Sequence, residues 1–407
     1  MSRATSTLIN ISDPSATAQA APQLRGWPLF RLGFRPFYLL AALLSGLSVP
    51  VWVGAFLGHM PMDIALPPLW WHAHEMLFGF AAGIIAGFLL TAVQAWTGLR
   101  TPRGPLLAAL ALLWVAGRVT ALTGPYALFA VLDLALLPLV GVLLLRVLIQ
   151  AGNKRNIPLI GLLLLMTVAN AVFHMAAADW LPSDWAMRAL YAQLGLILMV
   201  ISVVAGRVVP LFTRNVTPGL KNALPRKYEL TLLAVTGVAL ALWVLLPGQW
   251  LTGVVALAAA LMHARRLWVW SPMVTLRRPI LWILHFSYAW MPIGFAMLGL
   301  AQFGLLMETL AVHALAVGVV GGLIIGMITR TARGHTGRPL QASRNEIIAY
   351  TLVLVAAVVR AVLPALWPSG YVRAVEASSV LWALAFVLYL IQYTPWLTRT
   401  RLDGKDG

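Results

Sequence analysis

The stretch WWHAHEMLFGFAAGIIAGFLLTAVQA, residues 70–95, joins a polar opening to a long apolar run. Two histidines and a glutamate stand within its first six residues. The run that follows has the length of a helix that crosses the hydrocarbon core of a bilayer, about 20 residues. Ionisable side chains inside such helices are costly and mark functional sites. The stretch therefore predicts a membrane-spanning helix with a polar site near its beginning.

The rest of the chain is equally apolar. Of its 407 residues, 61% are hydrophobic and 10% are charged, whereas soluble domains are about half apolar and about a quarter charged. The chain contains no cysteine, which excludes disulfides, iron–sulfur clusters and a thiolate-ligated haem. Any metal must therefore be bound by His, Met or carboxylate side chains.

Breaks at Pro, Gly and charged residues divide the chain into twelve candidate spans. Their limits are 36–58, 70–95, 104–122, 125–150, 156–178, 186–213, 228–246, 248–267, 279–303, 308–330, 345–366 and 372–396. Lys and Arg collect between alternate spans, and only four of the 29 lie at the opposite ends: Arg118, Arg188, Arg360 and Arg373. Because cytoplasmic loops carry the excess of Lys and Arg, this alternation predicts twelve spans with both termini in the cytoplasm. It also accounts for the net charge of +17 without nucleic acid as a partner.

The predicted fold is an all-α, polytopic integral membrane protein with one domain in the lipid bilayer. Residues 1–26 are polar and rich in Ser, Thr and Ala, so we interpret them as a disordered cytoplasmic leader and not as a signal peptide. The twelve spans form the domain 27–398, and residues 399–407 form a short cytoplasmic tail. No loop is long enough for a soluble domain, so we expect the function to lie in or beside the membrane.

The topology converts the position of each histidine into a depth. At about 1.5 Å per residue, His313 lies about 8 Å below the predicted outer face. Four of the eight histidines share this layer: His72, His74, His174 and His313. His285 and His335 lie toward the inner face. Imidazole binds Fe, Cu and Zn, and two histidines on facing helices can hold a b-type haem, so the layer predicts a metal or haem site.

The opening motif allows two arrangements. If residues 70–76 are fully helical, His72 and His74 point about 200° apart and cannot ligate one ion. His72 would then share a face with Glu75 and Met76, and the helix would begin between two sites that lie back to back. If Trp71 and His72 still belong to the loop, both imidazoles can converge on one site.

A pattern of small residues follows two of the histidines. His74 precedes Gly79, Gly83 and Gly87, and the same H-x4-G-x3-G-x3-G spacing follows His313 with Gly318, Gly322 and Gly326. Such ridges allow the close approach of a helix or a flat ligand, and a packing stripe is the simpler interpretation. The shared register of the histidines indicates a duplicated structural unit.

Several other ionisable residues have both a functional and a structural interpretation. Asp133 can pair with Arg118 across the hairpin of spans 3 and 4, or it can belong to a proton path together with Glu75 and Glu308. Arg207 and Arg330 stand at inner helix ends, where they can bind haem propionates or lipid phosphates, or serve as snorkelling anchors. His285 is a candidate ligand or a structural hydrogen-bonding residue.

Five segments of the chain resemble the NnrS family. They are FRLGFRPFYLLAAL, PLWWHAHEMLFGFAAGIIAGFLLTAV, AGRVVPLFT, HFSYAWMPIGF and VHALAVGVVGGLIIGMITRTARGHTGRPL, spread in order from residue 30 to about residue 340. The resemblance implies a twelve-span bacterial inner-membrane protein that contains haem and copper and takes part in the response to nitric oxide. It also implies candidate haem or copper ligands in the matching segments: His72, His74, His285, His313 and His335. His174 lies outside them, and its place among the candidates rests on depth.

Three functions fit these observations. The first is a redox enzyme in which haem b and copper act on nitric oxide, Glu75, Glu308 and Asp133 carry protons, and an external quinol or cytochrome donates electrons. The second is a protective protein that binds nitric oxide or haem without turnover. The third is a secondary transporter, which is disfavoured because transporter sites lie near the bilayer midplane and the ionisable residues here favour the outer leaflet.

Overall fold

The computed structural model describes residues 26–406, and within that range it contains twelve long helices and no strand. The predicted leader, residues 1–26, lies outside the described residues apart from Gly26. The helices are α1 Phe34–Phe56, α2 Pro68–Thr97, α3 Pro105–Thr123, α4 Tyr126–Gln150, α5 Ile157–Ala177, α6 Asp184–Arg214, α7 Arg226–Leu245, α8 Trp250–Val269, α9 Pro279–Gln302, α10 Glu308–His335, α11 Arg344–Leu366 and α12 Tyr371–Leu397.

Eleven of the twelve helices are long and apolar enough to cross a membrane, and α8 is the exception. Although α8 has 20 residues, its last turns carry His263, Arg265 and Arg266, which lower its mean hydropathy. It packs along α9. The predicted all-α, polytopic membrane fold is therefore confirmed, and every predicted span is present as a helix. The largest boundary difference is in α10, which continues to His335 instead of ending at residue 330.

The two ends of the helix bundle differ in the residues they carry. At one end, α1 ends and α2, α6, α10 and α12 begin, and the first or last turns of all five helices line a common cavity. We call it the histidine end. At the opposite end, α10 ends at His335 and α11 begins at Arg344. We call that the arginine end, because most Arg and Lys residues of the loops lie there.

Three helices depart from regular α geometry at the histidine end. In α2 a π-helical segment, Glu75–Ala81, begins directly after His74, and in α10 another, Ala314–Gly321, begins directly after His313. The third is Val358–Val362 in α11, which contains Arg360. The repeated sequence pattern of α2 and α10 thus corresponds to a repeated local structure. Such π-helical turns are frequent at functional sites.

The glycine ridges serve helix packing. A Cβ at Gly83 would lie 2.9 Å from Nε1 of Trp114 on α3, and one at Gly326 would lie 2.9 Å from Cδ2 of Leu284 on α9. No glycine of either ridge lines the cavity. Of the two interpretations of the pattern, the packing stripe agrees with these contacts.

Candidate metal centre and cavity

Two polar sites occupy the histidine end, on opposite sides of the beginning of α2. Residues Pro68–His74 are helical, so the side chains of His72 and His74 leave the helix on opposite faces. His72 lines the cavity, and His74 contacts Asp133 on α4. Of the two arrangements that the sequence allows, the structure has the one with two sites back to back.

The first site, which we call the His–carboxylate cluster, consists of His74, Glu75, Arg118, Asp133, Asn170 and His174, contributed by α2, α3, α4 and α5. Asp133 is its centre. One carboxylate oxygen pairs with Arg118. The other, Oδ2, lies 3.2 Å from Nε2 of His74 and 3.2 Å from Nε2 of His174, and it accepts a hydrogen bond of 2.5 Å from Nδ2 of Asn170.

The three central side chains lie close enough together to hold a metal ion. One ligand atom each from His74, Asp133 and His174 lies within 4.8 Å of the others, and all three residues are buried. The Nδ1 atom of each imidazole also has a partner. Nδ1 of His74 lies 3.2 Å from Oε1 of Glu75, and Nδ1 of His174 lies 2.9 Å from the Tyr126 hydroxyl. Outer partners of this kind orient the imidazoles of metal sites and fix their tautomers.

The formal charges of the cluster do not balance when both imidazoles are neutral. Glu75 and Asp133 then contribute two negative charges and Arg118 one positive charge, which leaves one negative charge. His74 also has a carboxylate oxygen at 3.2 Å from each ring nitrogen. A neutral imidazole has a single N–H and cannot donate to both. A proton or a metal ion bound in the cluster would balance this charge.

The second site is a cavity of about 390 Å³, within the range of pockets that hold cofactors and drug-sized ligands. Helices α1, α2, α6, α10, α11 and α12 line it, mostly with apolar side chains. It reaches from Leu69 near the beginning of α2 to Phe80, three turns deeper. Its few polar side chains include two imidazoles and one guanidinium: His72, His313 and Arg360.

Both imidazoles of the cavity keep a free nitrogen. Nδ1 of His313 donates a hydrogen bond of 2.6 Å to the backbone oxygen of Thr309, so Nε2 carries the lone pair. No partner for that Nε2 occurs in residues 26–406. The His72 ring stacks on Trp52 with centroids 4.0 Å apart, and its buried Nδ1 has no hydrogen-bond partner within the same range. Each imidazole thus keeps a nitrogen without a hydrogen bond, and both residues line the cavity.

Arg360 is the third polar group of the cavity and is 5% exposed. Nη2 donates to the Tyr371 hydroxyl at 3.2 Å, whereas Nη1 is buried and has no hydrogen-bond partner in the described part of the chain. No Asp or Glu among the described residues forms an ion pair with it. It lies close enough to His72 and His313 to interact electrostatically with both.

Four of the candidate cofactor-binding residues lie in neither site. Nε2 of His285 lies 2.9 Å from the Thr213 hydroxyl, and the His335 ring packs on Phe34 with centroids 5.5 Å apart. Both are near the arginine end. The other two, Arg207 and Arg330, make one close side-chain contact each: Arg207 donates to Oδ1 of Asn156 at 2.8 Å, and Arg330 lies 3.8 Å above the Phe212 ring.

The three candidate proton carriers fall in two places. Glu75 and Asp133 belong to the cluster, where both contact Arg118. Glu308, the first residue of α10, accepts a hydrogen bond from Trp243 beside the cavity. Met76 lines the cavity, and its sulfur lies 3.7 Å from the Ser48 hydroxyl. It therefore belongs with His72 and not with His74.

Sequence reasoning missed three residues of these sites, although signals for each were present. Asn170 precedes His174 by one helical turn, and Tyr126 precedes Asp133 by two, so each pair shares a helix face. Arg360 is one of the four cations that break the alternation of charge. Each signal becomes informative only when it is known which helices pack together.

The fold and these two sites define a polytopic helical membrane protein with a buried histidine–carboxylate cluster that could hold a metal ion. A scan against protein families matches the NnrS protein family over residues 28–401, nearly the whole chain. The chain belongs to the NnrS family. A comparison with curated protein sequences finds no match.

Proposed function

We propose that this protein binds haem b and copper in the bacterial inner membrane and acts on nitric oxide, by binding it and by redox detoxification that includes its reduction. The observation that carries the proposal is the imidazole of His313. Its Nδ1–H is held by a backbone oxygen and its free Nε2 lies in an apolar cavity. This is how proteins prepare a neutral histidine as an iron ligand.

The cavity has the side chains that haem requires. Its apolar lining suits a macrocycle, and the free Nε2 of His313 on α10 would hold the iron. When bound, the haem supplies an iron that binds nitric oxide and exchanges electrons. An external quinol or cytochrome would provide those electrons, since the chain has no cysteine for a covalently attached haem of its own.

The His–carboxylate cluster suits copper. Nε2 of His74, Nε2 of His174 and Oδ2 of Asp133 would hold the ion, and imidazole and carboxylate are ligands that Cu(II) accepts. The ion would supply the positive charge that the cluster lacks. Glu75 and Tyr126 would orient the two rings from behind.

The chain's own residues would contribute in two further ways. The apolar wall of the cavity excludes water and admits a small uncharged gas from the bilayer. Glu308, beside the cavity and bonded to Trp243, is the carboxylate best situated to hold a proton for the reaction. Glu75 and Asp133, in contrast, are both engaged by Arg118. We further propose that both termini are cytoplasmic, so that the histidine end faces outward.

One observation favours the alternative of a protective protein without turnover. The cavity contains two imidazoles, and if both bind the same iron, no position is left for nitric oxide. The protein would then protect or supply haem and exchange electrons, with any reaction of nitric oxide left to copper.

The test is the optical spectrum of the purified, dithionite-reduced protein before and after addition of nitric oxide. We expect a b-type haem spectrum that shifts with nitric oxide and that His313→Ala abolishes, while the control His335→Ala retains it. A haem spectrum that nitric oxide leaves unchanged would favour the protective function. Absence of haem from protein expressed with a sufficient haem supply would refute the haem proposal.

A further inference from the structure

Three buried arginines of the helix bundle pair with a carboxylate. Arg118 pairs with Glu75 and Asp133, Arg266 with Glu229, and Arg333 with Glu346 at 2.5 Å. Such pairing is expected, because a buried charge is costly unless it is paired and hydrogen-bonded. Arg360 is as deeply buried, and its side-chain partner is the neutral hydroxyl of Tyr371.

Arg360 contributes to the wall of the cavity. Its Nη1 is buried and has no hydrogen-bond partner among residues 26–406. The guanidinium group presents a planar set of donors that matches a carboxylate. His72 and His313 line the same cavity. An acid group bound at Arg360 would therefore lie close to whatever the imidazoles bind.

The apolar part of the cavity indicates what the ligand carries besides its acid group. Phe80, Val320 and Trp382 line the part that lies deepest from the histidine end. An apolar body fits there, while the polar groups are gathered near Arg360.

We infer that Arg360 is the residue by which the cavity selects an amphipathic anion: it pairs with a carboxylate of the ligand whose apolar body fills the cavity. This rests on the proposed haem site, where the carboxylates are the propionates. An anionic lipid offers the same chemistry from another source, and the experiment separates the two.

The experiment compares ferric protoporphyrin IX with its dimethyl ester, which has the same ring and no free carboxylate. The full chain, purified in detergent without haem, is titrated with each, and binding is followed by the haem absorbance and by quenching of tryptophan fluorescence. We expect the wild type to bind the free acid at least about tenfold more tightly than the diester, the effect of one or two charge-assisted hydrogen bonds.

Three variants make the assignment specific. Arg360→Gln should remove the preference by weakening the free acid and leaving the diester unchanged, and Arg360→Lys should retain part of it. Arg373→Gln is the matched control, since Arg373 is an exposed arginine at the same end of the bundle. It should behave as the wild type does.

Two results would overturn the inference: equal affinity of the wild type for acid and diester, or a preference that survives Arg360→Gln. Anionic lipid that copurifies with the wild type and is lost from Arg360→Gln, with no change in porphyrin preference, would assign Arg360 to lipid instead. If neither porphyrin binds, the haem proposal fails separately, and the comparison is repeated with palmitic acid and its methyl ester. An Arg360-dependent preference for the acid would then support the inference, and its absence would refute it.

Discussion

The His–carboxylate cluster and the cavity begin two residues apart on α2, yet they differ in how their charges are satisfied. In the cluster, both carboxylates contact Arg118 and both histidines contact Asp133. In the cavity, His72, His313 and Arg360 each have a nitrogen without a hydrogen-bond partner among the described residues. We therefore propose a small cation as the ligand of the cluster and a large ligand for the cavity. Two sites built from the same residue types thus acquire different chemistry from the presence or absence of carboxylates.

The largest expected effect concerns the two buried arginines. Arg118→Gln leaves Glu75 and Asp133 buried without their cation, so we expect the free energy of unfolding to fall by about 3–5 kcal/mol. Arg360→Gln removes a charge that has no carboxylate partner in the described structure, so the loss in the ligand-free protein should be at most about 1 kcal/mol. Unfolding by denaturant in detergent micelles measures both. Equal losses would show that the two arginines do not differ as described.

The next effect tests how tightly the cluster is packed. In Gly79→Ala the new Cβ would lie 2.8 Å from Nη1 of Arg118 and 3.2 Å from Oε2 of Glu75. We expect a loss of about 1–3 kcal/mol, a reduced copper content and an unchanged haem content.

The matched control is Gly161→Ala on α5, where nothing lies within 4 Å of the new Cβ. There the gain in helix propensity should stabilise the protein by up to about 1 kcal/mol. If Gly79→Ala is as stable as this control and keeps its copper, the side chains of Arg118 and Glu75 can be displaced without loss of the site. The cluster is then not preorganised.

The smallest effect concerns a ring partner in the cluster. Tyr126→Phe removes the hydroxyl that lies 2.9 Å from Nδ1 of His174. Loss of such an outer partner weakens metal binding by about tenfold or more, which copper titration against a competing chelator would measure. Tyr191→Phe is the control, because Tyr191 lines the cavity. Equal copper affinity in both variants would show that Tyr126 does not contribute to copper binding.

Much of the fold could be predicted from the sequence, because span length and the alternation of Lys and Arg follow from the physics of the bilayer. The opposed faces of His72 and His74 also follow from helical geometry, as one of two alternatives. The prediction that four histidines share one layer does not divide them between two sites. The depth of a residue in the membrane does not specify the helix face on which its side chain lies. His74 joins His174 only because α4 and α5 pack beside α2 and bring Asp133 between them.

The place of Arg360 in the cavity could not be predicted from the sequence either. The sequence shows that Arg360 departs from the alternation of Lys and Arg, but its contact with the cavity depends on how six helices pack together. Helix packing of this kind is determined by side-chain fit across the whole bundle, which no local pattern contains.

We propose that α2 separates two independent sites, one for copper and one for haem. The most direct test is the copper and haem content of the purified wild type, His174→Gln and His313→Ala, measured by elemental analysis and by the pyridine haemochrome spectrum. We predict that His174→Gln loses copper and keeps haem, and that His313→Ala loses haem and keeps copper. If each substitution removes both cofactors to the same extent from protein that is still folded, the histidines form one site and the claim is wrong.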